Sequence, residues 1–391
     1  MDLISDIGSG VLAPAACQNM EAPNLASLGP KALEQLLTSM GQPKYRVRQL
    51  LRWIWKDAVV DADQMSNVSK ELRAKLKSDF VIELPKIVAE QKSTDGTIKY
   101  LMQLRDGKTV ETVWIPRLDQ DRVTVCVSSQ IGCKMACTFC LTAQQRVERN
   151  LTAGEIAGQL LALPQREKIT NVVLMGMGEP FDNYEELMES LSLMSDVDLM
   201  NIGPRKITVS TSGLVPKIKQ FLLESKSGLA ISLNAPNDEI RNAIMPVNRA
   251  YPLDVLLGTL RELSDPRIKK PAGSKYSITF EYIIIKDLND KPEHARELAK
   301  RLHGIPCKIN VLLYNENPNI PYKRPVMDAV EAFRKVLSDR GYLNFIRTSR
   351  GRDISAACGQ LVSEHKRKLG LDTPRSLKMT QEKFSANSLG A

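Results

Sequence analysis

The sequence predicts an α/β protein built around a parallel barrel, and three observations lead to this fold class. From residue 122 onward, apolar runs typical of buried strands alternate with segments of helical periodicity. Six such units follow one another without an internal sequence repeat. Small and polar residues gather where the predicted strands end, which is the face that carries the active site of a parallel barrel. Because a complete barrel of this kind has eight units, six units leave an incomplete barrel open as an alternative.

The barrel strands are predicted near residues 122–128, 170–176, 205–211, 228–233, 276–285 and 308–314, with an extra strand at 342–348. Thr152 and Glu155 form the signature of a capping box, which marks the start of the first barrel helix. The later helices are predicted at residues 184–195, 215–224, 252–264, 292–303 and 325–340.

A smaller helical domain is predicted ahead of the barrel, at residues 25–80. Its three helices begin near Pro30, Tyr45 and Lys70, and they carry many arginines and lysines beside two tryptophans. One interpretation is a solvated cap with the tryptophans in its core. The other is a nucleic-acid grip that uses cations and aromatic planes. The sequence leaves both interpretations open.

Residues 81–120 are predicted to form a small β linker between the two larger parts. Asp95-Gly96 is a strong signal for a hairpin turn within it. Glu111 lies in the last apolar run of this linker, where a carboxylate is unusual. The residue pattern alone favours a side chain that faces the surface.

The remaining boundaries follow from composition. The barrel is assigned residues 121–350, and a C-terminal segment that carries Cys358 covers residues 351–370. Residues 1–24 are predicted to be a mobile N-terminus, and residues 371–391 to be a disordered tail.

Composition excludes several classes of protein. Of the 391 residues, 43% are apolar and 25% charged, and no apolar run approaches the ~18 residues of a membrane span. The first residues are acidic where a signal peptide would be basic. Three histidines make a zinc hydrolase or a Ser-His-Asp enzyme improbable. The net charge of +9 favours a polyanionic partner.

The cysteines predict the chemistry. Four of the seven lie between residues 126 and 140, and Cys133, Cys137 and Cys140 form C-x3-C-x2-C. Three thiolates on one loop can hold three irons of a cubane cluster and leave the fourth iron open to a ligand. The alternative is a zinc knuckle, but structural zinc takes four ligands, and no second Cys or His pair stands at matching spacing. Such a dense thiol cluster predicts a reducing, cytoplasmic compartment.

Other candidates lie where the predicted strands end. They are Gly178 and Glu179 in Gly-Met-Gly-Glu-Pro, Ser210, the run Ser232-Leu233-Asn234, and Asn315. Together they would suit a ligand with amino, carboxylate and ribose groups, although each alone is ordinary loop chemistry. Cys358 has two interpretations, a buried filler or an accessible, reactive thiolate beside arginines.

These residues resemble a known family. The cysteine loop resembles that of radical S-adenosylmethionine (SAM) enzymes. Cys-Val-Ser-Ser-Gln-Ile-Gly-Cys, Arg149-Asn-Leu-Thr, Gly-Met-Gly-Glu-Pro, Ser-Thr-Ser-Gly and Ala-Ala-Cys-Gly-Gln together resemble the RlmN/Cfr dual-specificity RNA methyltransferases. Ala143-Gln-Gln is more similar to the RlmN branch. The resemblance covers residues 26 to 368 and implies a partial (β/α)6 radical-SAM barrel with an N-terminal helical RNA-binding domain.

The resemblance implies a methylation of adenine carbon 2 in 23S rRNA, at the peptidyl-transferase centre, and beside the anticodon of some tRNAs. Cys358 would accept a methyl group from one SAM, and a second SAM on the open iron of a 4Fe-4S cluster would start the radical step. Cys126 would resolve the protein–RNA adduct through a disulfide with Cys358, and Glu111 would accept a proton. Matched SAM contacts are Gly178, Glu179, Ser210, Ser232, Leu233, Asn234 and Asn315. The resemblance further implies a monomer and an electron donor such as flavodoxin.

Two positions depart from the family pattern. Asn234 stands where the family commonly has His, and Arg146-Val147 replaces a usual Gly-Phe. Three alternatives stay open at this point: a carbon-8 methyltransferase like Cfr, a radical-SAM enzyme for a small metabolite, and a metal-stabilised RNA-binding protein without catalysis.

Overall fold

The computed structural model describes residues 22–272, 278–317 and 320–361. Most of the predicted mobile N-terminus and all of the predicted disordered tail lie outside these residues. Within the described ranges the chain forms ten α-helices and twelve strands. None of the described helices is long and apolar enough to span a bilayer.

The N-terminal part consists of α1 (Pro30–Ser39), α2 (Tyr45–Trp55) and α3 (Lys70–Asp79). Each helix turns a stripe of leucines and isoleucines inward, and Trp55 is 1% exposed. Trp53 is half-buried, and its indole nitrogen donates to Asn67 at 2.7 Å. The tryptophans therefore contribute to the packing of the module, as the cap interpretation expects.

The β linker comprises β1 (Lys86–Lys92), β2 (Ile98–Gln103) and β3 (Thr109–Arg117), paired antiparallel. The predicted turn at Asp95-Gly96 connects β1 to β2, and Gly96 takes φ +84°. β3 also pairs antiparallel with β4 (Arg122–Cys126). The linker is therefore continuous with the main sheet.

After β4 the chain forms a short hairpin of β5 (Gln130–Ile131) and β6 (Arg149–Asn150), and the three clustered cysteines lie between its strands. The remaining strands join β4 in one parallel array. They are β7 (Asn171–Leu174), β8 (Ile207–Thr211), β9 (Gly228–Ser232), β10 (Ile278–Ile284), β11 (Cys307–Leu313) and β12 (Asn344–Arg347). The order of the ten-stranded sheet is β1-β2-β3-β4-β7-β8-β9-β10-β11-β12. Among the described strands, β12 pairs with β11 alone, so the barrel stays open between β4 and β12.

Helices cover the outside of the sheet. They are α4 (Ala153–Leu161), α5 (Tyr184–Ser195), α6 (Val215–Glu224), α7 (Asp238–Ile244), α8 (Leu253–Leu263), α9 (Pro292–Arg301) and α10 (Met327–Asp339). The predicted capping box at Thr152 and Glu155 is present. α7 is absent from the sequence prediction because it has only seven residues, too few for a helical period to stand out.

The N-terminal part packs directly on the barrel. A Cβ on Gly154, in the first turn of α4, would lie 1.7 Å from the carbonyl oxygen of Ala26. Only glycine permits this approach. The contact fixes the helical module beside the loop that leads into α4.

Candidate active site

The three cysteines of the loop line one cavity at the carboxyl ends of the parallel strands. The cavity holds about 890 Å³, part of it open to solvent. Burial raises the pKa of the Cys133 thiol to about 12, and it also raises the pKa of Cys137 and Cys140. Gly132, at φ +79°, starts the loop, where a Cβ would lie 2.3 Å from the Arg146 carbonyl oxygen.

The donor set suits a cluster better than zinc. Within the described ranges, no three His, Cys, Asp or Glu side chains converge to hold a single metal ion. The three thiols instead border a shared space, as separate irons of a cubane require. Cys133, Cys137 and Cys140 could therefore hold a 4Fe-4S cluster and leave one iron for a ligand from the cavity.

Glu179 presents a fixed carboxylate to the same cavity. Its Oε2 accepts from the Ser212 backbone N–H at 2.7 Å, and its Oε1 accepts from that of Phe181 at 3.1 Å. Burial raises its pKa, although these hydrogen bonds oppose the shift. Gly178 has φ +99°, and a Cβ there would lie 2.6 Å from Gln130. This close approach brings the backbone next to the cavity.

The other predicted contacts divide into two groups. Ser210, Ser232 and Asn234 line the cavity, whereas Leu233 and Asn315 do not. Leu233 is 1% exposed, and its side chain belongs to the hydrophobic core. The amide of Asn315 donates to Ser349 at 3.1 Å, and its Oδ1 is buried without a partner among the described residues. An unpartnered buried oxygen is an acceptor available to a ligand.

Asn234 connects two neighbouring strands beside the cavity. It lies at φ +57°, a left-handed conformation that Asn adopts more readily than most residues. Its Oδ1 accepts from the Ile283 N–H at 2.9 Å, and its carbonyl accepts from Asn289 at 2.7 Å. The side chain thus ties the end of β9 to β10.

The sequence analysis missed Arg241, on α7. This residue is completely buried, and it donates to the carbonyls of Ser212, Ser232 and Leu233 at 2.7, 3.1 and 3.1 Å and to Asn248 at 2.8 Å. Burial lowers its pKa to about 10. Because it joins the ends of β8 and β9, Arg241 shapes the wall of the cavity. In the sequence, Arg241 is only one charged residue in a segment too short to show a helical period, so nothing marks it as part of the site.

A second cavity opens at the seam between β4 and β12. Residues of both strands line it, among them Arg122, Cys126, Phe345 and Arg347. Four arginines line it: Arg117, Arg122, Arg347 and Arg350. No described Asp or Glu does so, and Phe345 is 51% exposed. We call this space the arginine cavity.

The two cavities share a wall. Cys358 borders both of them, together with Met175, Leu312, Arg347 and Leu361. Cys126 borders the arginine cavity. Burial, with a contribution from Cys358, raises the pKa of the Cys126 thiol to about 12. The two thiols predicted to react together therefore lie near one another, although Cys358 follows Cys126 by more than two hundred positions.

Cys126 and Cys358 are both free thiols in the structure. The predicted disulfide between them is thus not part of this fold. The physical reason is the position of Cys126, at the buried end of a sheet strand that is held by its own hydrogen bonds, so the fold is complete without the covalent link.

Glu111 does not face the surface, and that interpretation was wrong. It is 1% exposed, and its Oε1 lies 3.1 Å from Lys99 Nζ. The pairing of Val113 with Cys126 puts Glu111, two residues earlier in β3, on the same face of the sheet as Cys126. The sequence could not reveal this because the antiparallel partner of β3 was unknown.

Comparisons with known proteins agree with this architecture. Residues 23–82 match the family model described as "Ribosomal RNA large subunit methyltransferase N-terminal domain", and residues 127–302 match that of the "Radical SAM superfamily". A "Dual-specificity RNA methyltransferase RlmN" of Marinobacter nauticus is 44% identical over 88% of this chain and 93% of its own length. Its counterpart in Bdellovibrio bacteriovorus is 40% identical over 94% and 91%. The crystal structure of a radical SAM methyltransferase from Sphaerobacter thermophilus superposes with a TM-score of 0.77 at 40% identity, covering 87% of this chain and 99% of that one.

Proposed function

Since the chain belongs to the RlmN family of dual-specificity RNA methyltransferases, within the radical SAM superfamily, we propose that it methylates carbon 2 of one adenine in 23S rRNA and of the adenine beside the anticodon in some tRNAs. The observation that carries this proposal is the position of Cys358 in the wall between the thiol-lined cavity and the arginine cavity. A thiol in that wall can receive a methyl group from one side and present it to a substrate on the other.

The arginine cavity supports RNA as the substrate. Arg117 pairs with Asp119 and Arg347 with Glu281, whereas the guanidinium groups of Arg122 and Arg350 form no ion pair with a described residue and suit phosphate oxygens. No described carboxylate lines the cavity to repel phosphate. Phe345 offers an exposed aromatic face on which a base can stack. A small uncharged metabolite would not need this lining.

The thiol-lined cavity would hold the cluster and SAM. When bound, the 4Fe-4S cluster and two SAM molecules per turnover would supply a methyl group and a radical that removes a hydrogen atom from that methyl group. Cys133, Cys137 and Cys140 would hold the cluster. The cavity residues Gly178, Glu179, Ser210, Ser232 and Asn234 would bind SAM, and Leu233 and Asn315 would complete the set of contacts, Asn315 through its unpartnered Oδ1.

The chemistry of adenine explains the need for a methyl-carrying cysteine. Carbon 2 of the ring is electrophilic, so it cannot attack a sulfonium methyl group directly. Cys358 would carry the methyl carbon to the ring, and Glu111 would accept the proton that leaves carbon 2. The Cys126 thiolate would then attack the Cys358 sulfur, forming an S–S bond as the bond from that sulfur to the transferred carbon breaks, and the released carbon would take up a proton to become the methyl group. A cytoplasmic reductant would reopen the transient disulfide. The protein would act as a monomer, with a reducing electron donor such as flavodoxin.

Nucleoside mass spectrometry tests this function. The full chain, with its cluster reconstituted anaerobically, is incubated with SAM, a reductant and unmodified 23S rRNA. We expect 2-methyladenosine from the wild type and none from Cys358→Ala. A product of 8-methyladenosine would instead assign the chain a Cfr-like activity and contradict the proposal.

A further inference from the structure

Residues 351–361, the described part of the segment that carries Cys358, have little regular structure of their own. They contain one short 3-10 turn, Arg352–Ile354, flanked by left-handed residues at Gly351 (φ +63°) and Ser355 (φ +51°). After Cys358 the chain is attached to the cysteine loop, because Leu141 N–H donates to the Gly359 carbonyl at 2.8 Å. The position of the thiol therefore depends also on what holds the chain before it.

The turn between β1 and β2 supplies that attachment. The Ser93 hydroxyl donates to Asp353 Oδ1 at 2.6 Å, and Thr94 N–H donates to Oδ2 at 3.1 Å. In return, Gly351 N–H donates to Asp95 Oδ2 at 3.0 Å. We call these contacts the hairpin clasp.

The fit of the clasp is close. A Cβ on Gly351 would lie 2.9 Å from a methyl carbon of Thr97 and 2.8 Å from the Cβ of Ala356. Asp95 also caps its own turn, since its Oδ1 accepts from Thr97 N–H at 2.9 Å. The turn is thus rigid before it engages the segment, so ordering it costs little additional entropy.

Lys99, on the strand that leaves this turn, joins the clasp to the candidate proton acceptor. It is 5% exposed, and its Nζ lies 3.1 Å from Glu111 Oε1. The same ammonium group donates to the Ser355 carbonyl at 3.4 Å. One buried cation therefore touches both Glu111 and the segment that ends in Cys358.

We propose that Lys99 and the hairpin clasp are positioning elements that hold the Cys358 segment at a fixed position relative to Glu111. Lys99 sets the distance between the carboxylate and the segment, and Asp353 and Asp95 fix the segment to the sheet. A methyl carried on Cys358 must meet the substrate within a narrow geometry, and a displacement of about 1 Å can cost about 100-fold in rate. The β linker thus has a role in the active site beyond joining two domains.

Amide hydrogen exchange of the full chain with its cluster, read by mass spectrometry, tests this directly. Asp353→Ala removes an exposed acceptor, and Lys99→Met/Glu111→Gln removes the buried pair without leaving one charge unpaired. In both variants we expect exchange in residues 351–358 to rise about tenfold, while exchange in 307–313 stays unchanged. The single variant Lys99→Arg keeps the cation beside Glu111, so exchange in residues 351–358 should stay close to that of the wild type. Asp339→Ala, which removes a carboxylate paired with Lys335 on α10, is the matched control and should leave the segment unchanged.

Unchanged exchange in 351–358 in both variants would overturn the proposal, as would a uniform rise across the whole chain. The measurement uses neither RNA nor SAM. The meaning of the clasp for catalysis rests on the proposed function, but the two can fail separately. Selective loosening without any methylated product from the wild type would refute the function and leave the clasp intact.

Discussion

The guanidinium group of Arg48 on α2 binds the carboxylate of Asp196, after α5, with two hydrogen bonds of 2.5 and 2.7 Å. A third bond of 2.5 Å reaches Asp198. The pair joins the helical module to the barrel. Because Arg48 is already paired with two aspartates, part of the positive charge of α2 is neutralised within the protein and is not available to RNA.

The ion pair predicts an acid-sensitive attachment. Hydrogen bonds from Arg48 hold the pKa of Asp196 and Asp198 below the ordinary 3.8. A depressed pKa in the folded state gives stability that is present above pH 3.8 and is lost as the pH falls through the folded value. Arg48→Met should therefore lower the free energy of unfolding by about 1 kcal/mol at pH 6, and the gap to wild type should shrink below pH 3.8.

Urea unfolding across this pH range measures the gap. Arg267→Met, which removes an exposed ion pair with nearby Asp265, serves as the control and should change stability little. If Arg48→Met differed from the wild type by the same free energy of unfolding at pH 6 and below pH 3.8, Arg48 would act through packing and not through its charge.

The cysteine spacing and the alternation of strands and helices were sufficient to predict the barrel and the thiol loop, because both depend on short-range patterns. Glu111 and Arg241 were not accessible in this way. The burial of Glu111 depends on its pairing with Lys99 in a neighbouring strand, and the role of Arg241 depends on three carbonyls from two strand ends. The sequence shows which residues are present, but the register of distant strands decides which of them meet.

The thiol loop predicts an iron–sulfur protein. Cys133→Ala removes one of the three proposed cluster ligands, so anaerobically reconstituted protein should lose most of its iron and acid-labile sulfide. Cys307→Ala, a change to a half-buried cysteine at the start of β11, is the matched control and should retain both. Iron and sulfide analysis with visible absorption gives the result. Tightly bound zinc without labile sulfide in the wild type would contradict the cluster assignment.

The arginine cavity predicts where RNA binds. The Arg122 guanidinium group has no hydrogen-bond or ion-pair partner among the described residues, although its backbone pairs with β3. Arg122→Gln should therefore weaken RNA binding and reduce its salt dependence by about one counterion without affecting folding. Phe345→Ala should weaken binding about tenfold through loss of stacking. Fluorescence anisotropy at several salt concentrations measures both effects.

Two controls match these variants. Leu343→Ala removes another exposed apolar side chain just before the same strand, where Leu343 is 68% exposed. Arg340→Gln removes an exposed cation at the end of α10, away from the arginine cavity. If the controls weaken RNA binding as much as the cavity variants do, the cavity is not the binding site.

In the proposed reaction, Cys358 carries the methyl carbon to RNA and Cys126 releases the product. Denaturing gel electrophoresis of the anaerobic reaction, with peptide mapping of any protein–RNA band, distinguishes the two roles. We expect Cys126→Ala to accumulate a covalent adduct attached at Cys358, and Cys358→Ala to form none. An adduct in the Cys358→Ala variant, or one mapped to another residue, would contradict these roles.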